Sequence, residues 1–124
     1  MGSAIDLSDP CTFWVSNFDE QPTKEFCTSV MKYSLIAPNR PIIVYINTPG
    51  GRADGLMTMI AVLDSVPNQL ITVALGQAHS AGAILLSHGD VRFVSPVSRV
   101  MIHQIQGGAV GCIDDIENEF LEMN

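Results

Sequence analysis

The chain has 124 residues, 47% of them apolar, and a net charge of −7 from 13 acidic against 6 basic residues. That length suits one domain around one core, the acidic balance excludes nucleic-acid binding as a main role, and no apolar run reaches the ~18 residues a membrane helix needs. Cys11, Cys27 and Cys112 show no C-x-x-C spacing, which excludes a zinc signature and a disulfide framework and leaves reduced thiols of a cytosol-like compartment.

In chain order, residues 1–11 read as a loose polar lead-in with Asp-Pro at 9–10. Thr12-Phe13-Trp14-Val15 is a short β-prone run. Pro22 suits the first turn of a helix, and Phe26, Val30, Tyr33 and, less neatly, Met31 set an apolar stripe at helical spacing. Pro38 and Pro41 end it. Ile42-Ile43-Val44-Tyr45-Ile46 has the continuous apolar, β-branched character of a strand buried on both faces. After the turn Asn47-Thr48-Pro49-Gly50-Gly51, residues 54–66 predict a helix with Leu56, Met59, Ile60 and Leu63 on one face. A second buried strand is expected over 70–75, then a small-residue stretch from Ala78 to Ala83 that continues through Leu86 as a short buried helix ending near His88-Gly89. Residues 91–94 and 99–102 predict two further strands. Past a Gly-rich stretch at 106–111, Asp114 to Met123 reads as an acidic helix whose pattern is still running when the sequence stops. Alternation of strand and helix at this spacing predicts parallel strands joined by right-handed crossovers. Sites in such sheets form at the carboxyl ends of strands, where both glycine-containing segments, 47–51 and 76–82, fall.

Three features could carry chemistry. Pro49-Gly50-Gly51 taken alone reads as a tight strand-to-helix turn; its functional reading is a backbone N–H facing a site, where it stabilises an oxyanion. Ser80 reads either as a helix cap or as a nucleophile on a sharp turn, with small neighbours leaving Oγ open and the N–H of Ala81 as a second oxyanion donor. Position 78 is alanine, so the motif is not the G-x-S-x-G of α/β-hydrolases. His103, expected at the end of a separate strand, can approach Ser80 across the sheet edge as a general base. Its competitors are His79, adjacent to Ser80 in sequence, and His88, expected at the far end of the same short helix.

Taken together, three segments resemble the motifs of the Clp (caseinolytic) protease proteolytic subunit family. Tyr45-Ile46-Asn47-Thr48-Pro49-Gly50-Gly51 is similar to its glycine-rich oxyanion segment, Gly76-Gln77-Ala78-His79-Ser80-Ala81-Gly82-Ala83 to its serine motif, and Ser98-Arg99-Val100-Met101-Ile102-His103-Gln104, followed by Gly107-Gly108, to its histidine motif. The resemblance implies a crotonase-like α/β fold of stacked ββα units: a single domain with a head over 12–104 and, over 105–124, the start of a protruding handle. It implies a serine endopeptidase with Ser80 as nucleophile, His103 as base, and Gly51 and Ala81 as oxyanion donors, needing neither metal nor cofactor. It further implies heptameric homo-oligomeric rings stacked in pairs, in the cytoplasm, an organelle matrix or a host cytoplasm if viral. An AAA+ unfoldase would feed unfolded protein into that chamber.

Two departures follow. The family's triad closes with an Asp well after the histidine, and no residue here stands in for that third acid; Asp114, Asp115, Glu117, Glu119 and Glu122 lie on the expected handle. Loss of an orienting acid costs about 10⁴-fold in serine proteases, so the expectation is a fragment of a longer subunit or an impaired enzyme. The family's axial loop and first helix also have no counterpart before residue 12, which weakens the expectation of unfoldase docking. The rival readings are a non-catalytic ring member, a crotonase-like acyl-CoA enzyme, and a serine-lysine protease, whose only lysines here, Lys24 and Lys32, precede the serine.

Overall fold

The computed structural model describes residues 11–102. The β-branched run after Pro41 forms the strand β2, Ile42–Thr48. Before it stand β1 (Thr12–Val15) and helix α1 (Glu20–Ile36). After it follow α2 (Ala53–Ser65), β3 (Leu70–His79), α3 (Ala81–Ser87), β4 (Val91–Val94) and β5 (Arg99–Met101). The sheet runs β1-β2-β3-β4, every pairing is parallel, and β5 pairs β3 beyond the end of β4. This is the parallel α/β architecture expected from the alternation of elements.

Successive right-handed crossovers in one direction put their helices on one face of a sheet. Ile42, Val44, Ile46 and Thr48 of β2 and Leu70, Thr72, Ala74 and Ala78 of β3 are buried, as period-two alternation requires of a covered face. Phe13, in register with Val44, meets Phe26 and Tyr33 of α1 edge-on at 5.9 and 6.1 Å. Phe26, Val30 and Tyr33 are buried as the helical stripe predicts, whereas Met31 is exposed. On α2, Leu56, Met59 and Leu63 are buried and Ile60 is partly so. The opposite face carries a transverse row, Trp14, Tyr45, Val73 and Phe93, in which Trp14 stacks on Tyr45 at 6.2 Å. Trp14 and Phe93 are about half exposed there.

Three expectations need correction. Cys11, assigned to the loose lead-in, is buried in the core; the rest of that lead-in lies outside the described residues. β3 extends to His79 rather than ending at 75, because Gln77, Ala78 and His79 pair with Arg99, Val100 and Met101, and Ala78 also pairs with Thr48 across a bulge. The helix expected to grow out of Ala78 therefore begins only at Ala81. The Gly-rich stretch and the handle expected over 105–124 lie outside the described residues.

Polar side chains fasten the connections. Asn68 is buried, donates to the carbonyls of Ala37 (2.9 Å) and Arg40 (2.7 Å), and accepts from Ser34 Oγ (2.7 Å). It thus ties the α1–β2 turn to the start of β3. At the N-terminus of α2, Arg52 donates two bonds to Asp54, at 3.0 and 2.8 Å. The guanidinium holds the Asp54 carboxyl down from its ordinary 3.8 to about 2. A depressed carboxyl contributes stability that is full above its unfolded value and lost as pH falls through the folded one. Because the pair is exposed, that contribution is small. An NMR titration should place the Asp54 midpoint near 2, and Arg52→Gln should raise it toward 3.8; a midpoint that ignores Arg52 would dismiss the pairing.

Candidate active site

β2 and β3 lie side by side, so the turns leaving their carboxyl ends meet. Ser80 follows β3 directly, at φ 54° and ψ −114°, and is the only non-glycine residue with positive φ among the described residues. Such a conformation costs about 1–3 kcal/mol and persists only where the surroundings hold it. The surroundings do so here. Ser80 N donates to the carbonyl of Met101 in β5 at 2.7 Å, and Ser80 O accepts from the N–H groups of Ala83 (3.0 Å) and Ile84 (3.2 Å) in α3. The capping reading of Ser80 fails in one respect: it occupies the N-cap position of α3 but makes no side-chain capping bond. A cap would satisfy a helix N–H with its oxygen; this oxygen is kept out of that role by the sharp turn.

Gly50 lies against this serine. Its φ is +112°, and a Cβ built on it would sit 3.0 Å from Ser80 Cβ, 3.1 Å from the His79 carbonyl and 3.6 Å from Ser80 Oγ. A side chain here would be strained by the backbone and would crowd the serine at once. Gly51, the sequence-expected donor, is the exposed neighbour in this loop, and a Cβ on it would contact the Phe18 ring at 3.2 Å. Ala81 is the first residue of α3, where a backbone N–H has no intrahelical acceptor. The structure therefore brings Gly50 of this turn against Ser80, with Ala81 next in chain, while Gly51 packs on Phe18. The sequence marked Gly50 only as half of the same dipeptide.

Two further polar residues hold the frame. Thr48, fully buried at the end of β2, accepts from Gly50 N at 3.1 Å and donates to Gly50 O at 3.3 Å. Ser98 donates to the Ala74 carbonyl at 3.0 Å and accepts from Gly76 N at 2.8 Å, fixing the β4–β5 connection to β3. The sequence showed Ser98 only as the first residue of a motif, with no hint of what it binds.

Of the histidines, His88 is removed from the serine: it caps the far end of α3 and lies 2.7 Å from Asp64 Oδ1. His79 is the last residue of β3 rather than part of a helix start, and its Nε2 is buried with no hydrogen-bond partner among the described residues. His103 lies outside the described residues. β5 runs parallel to β3 and places Met101 opposite His79, one residue before Ser80. No group of three His, Cys, Asp or Glu side chains that could hold a metal occurs among the described residues. Burial pushes the Cys27 thiol up, away from the reactive thiolate.

A parallel α/β sheet thus carries, at the carboxyl end of a central strand, a serine of positive φ with a glycine turn packed on it. The chain belongs to the Clp protease family, whose model matches residues 7–124. It is 32% identical over 103 residues to the ATP-dependent Clp protease proteolytic subunit 2 of Tropheryma whipplei (strain Twist), covering 82% of this chain and 57% of the relative. It is 31% identical over 115 residues to the ATP-dependent Clp protease proteolytic subunit 1 of Leifsonia xyli subsp. xyli (strain CTCB07), covering 91% of this chain and 58% of the relative. The chain thus spans less than two thirds of the length of these curated relatives. The parallel sheet is consistent with the crotonase-like fold that the resemblance implied.

Proposed function

We propose that this chain is a serine-type peptidase subunit of a Clp-like compartmental protease, with Ser80 as its nucleophile. The observation that carries this reading is the backbone of Ser80, held at φ 54° at the end of β3 with Gly50 packed against it. In the proposed reaction, Ser80 Oγ attacks the carbonyl carbon of a peptide bond and its proton passes to His103. The developing oxyanion is stabilised by the N–H groups of Gly51 and Ala81. Collapse breaks the C–N bond, the leaving amine takes the proton from His103, and water then hydrolyses the ester on Ser80 by the same proton path. The register of β5 supports the assignment of His103, because it brings that strand alongside the serine turn. No cofactor enters these steps.

Assembly into rings, heptameric in this reading, with a Clp ATPase supplying unfolded chains, is part of the same proposal. It is supported by the family and by the exposed Trp14, Leu35, Ile36, Phe93 and Val97, apolar surface of the kind a subunit interface buries. A cytoplasmic location is part of the same proposal. No helix among the described residues is long and apolar enough to cross a membrane.

The test is covalent labelling with a fluorophosphonate, read by intact mass and peptide mapping. One adduct, on Ser80, is expected. A folded chain that takes up no probe, or takes it up at another residue, would dismiss Ser80 as an activated nucleophile.

A further inference from the structure

We infer that Thr48 is the positioning residue of the oxyanion turn, orienting the Gly50–Gly51 peptide through its hydroxyl; this rests on the reading of Ser80 as nucleophile. Thr48 is fully buried and ends β2 opposite Ala78, past an irregularity in the β2–β3 register. Bulges of this kind re-aim the residues that follow them. Its one hydroxyl serves both polar groups of Gly50, accepting from the N–H at 3.1 Å and donating to the C=O at 3.3 Å. The second bond matters for catalysis. A trans peptide is planar and its C=O and N–H point in opposite directions. Holding the Gly50 carbonyl toward Thr48 therefore turns the Gly51 N–H away from Thr48. Gly50 itself, at φ +112°, has no side chain to restrict that rotation. Without the hydroxyl, the Gly50 N–H loses its acceptor and the peptide loses what fixes its plane.

The same side chain also meets the serine helix. A Cβ on Gly82 would collide with Thr48 Cγ2, so the Thr48 methyl is keyed into α3 while its hydroxyl holds the glycine turn. One residue, two faces, two halves of the site: the nucleophile's helix and the oxyanion turn are registered against a common point.

The test compares Thr48→Val, which keeps the shape and removes the hydroxyl, with Thr48→Ser, which keeps the hydroxyl. Peptide hydrolysis by Thr48→Val should fall in kcat by roughly 10–10²-fold, up to the loss of one oxyanion donor, with KM within about twofold because the hydroxyl touches no ground-state substrate group. Thr48→Ser should restore most of the rate. Hydrogen exchange over residues 47–52 gives a readout independent of turnover: the Gly50 amide should be protected in the wild type and exchange faster in Thr48→Val. A Gly50 amide that is unprotected in the wild type, or a valine variant that matches the wild type in kcat and exchange, would overturn the role of Thr48. If the wild type itself took up no serine probe, the nucleophile reading would fall, and exchange at Gly50 would still decide whether Thr48 holds the turn.

Discussion

Ser80→Ala should abolish fluorophosphonate labelling and lower peptide hydrolysis by up to about 10⁶-fold, the scale seen when a serine protease loses its nucleophile, without lowering stability. Ser80→Gly should be equally inactive but more stable than either. The distinction follows from the backbone. At φ 54° the strain arises from Cβ, which alanine retains and glycine lacks. Relief of about 1–3 kcal/mol, less the roughly 0.5–1 kcal/mol entropic cost of glycine, leaves a net gain of about 0–2.5 kcal/mol, centred near 1 kcal/mol or a few degrees in Tm. The bonds that clamp the turn, from Ser80 N to Met101 O and from Ala83 and Ile84 to Ser80 O, are all main-chain and survive both substitutions. Thermal unfolding of the three proteins beside labelling decides the matter. A glycine variant no more stable than the alanine one would show that the turn stores no strain, and would remove the main physical reason for setting Ser80 apart from an ordinary helix cap.

The elements were legible in the sequence where local pattern sufficed. Five consecutive apolar, β-branched or aromatic residues at 42–46 marked the strand, though its second face is only partly covered, and the stripe Phe26, Val30, Tyr33 marked the buried side of α1. The Ser80 turn was legible because small residues gather there. What failed depended on partners distant in sequence. Ala78 and His79 look like the start of a small-residue helix, yet Gln77 to His79 are strand because β5 pairs with them. Gly50 and Gly51 are chemically identical; only the backbone arriving from Thr48 decides which one faces Ser80 and which one faces Phe18. Thr48 and Ser98 carry no signal at all, since a buried hydroxyl becomes informative only once its acceptors and donors are known. The pairing of His88 with Asp64, which takes that histidine away from the serine, is likewise a contact across 24 residues.

Gly82→Ala should destabilise the chain by about 1–3 kcal/mol, the usual cost of overpacking, although alanine is the better helix former by about 1 kcal/mol. The added methyl meets Thr48 Cγ2 at a distance no real pair adopts, while its next neighbours, Ile46 Cγ2 at 3.5 Å and Thr48 O at 3.7 Å, are in ordinary contact. Thr48 cannot turn aside cheaply: a β-branched side chain is stiff at χ1, and rotation would break both bonds to Gly50. The alternative is that α3 lifts from the sheet and carries Ser80 with it. Either way catalysis should fall along with stability. Adding Thr48→Ser deletes the colliding methyl and keeps the hydroxyl, so the double variant should be more stable than Gly82→Ala alone, even though Thr48→Ser by itself costs about 0.8 kcal/mol for the lost methyl. A coupling of about 0.5–3 kcal/mol in the double-mutant cycle, with probe uptake recovering in parallel, is the expected result. Strict additivity would mean that Gly82 and Thr48 do not share the contact, and that the serine helix and the glycine turn are held in place independently.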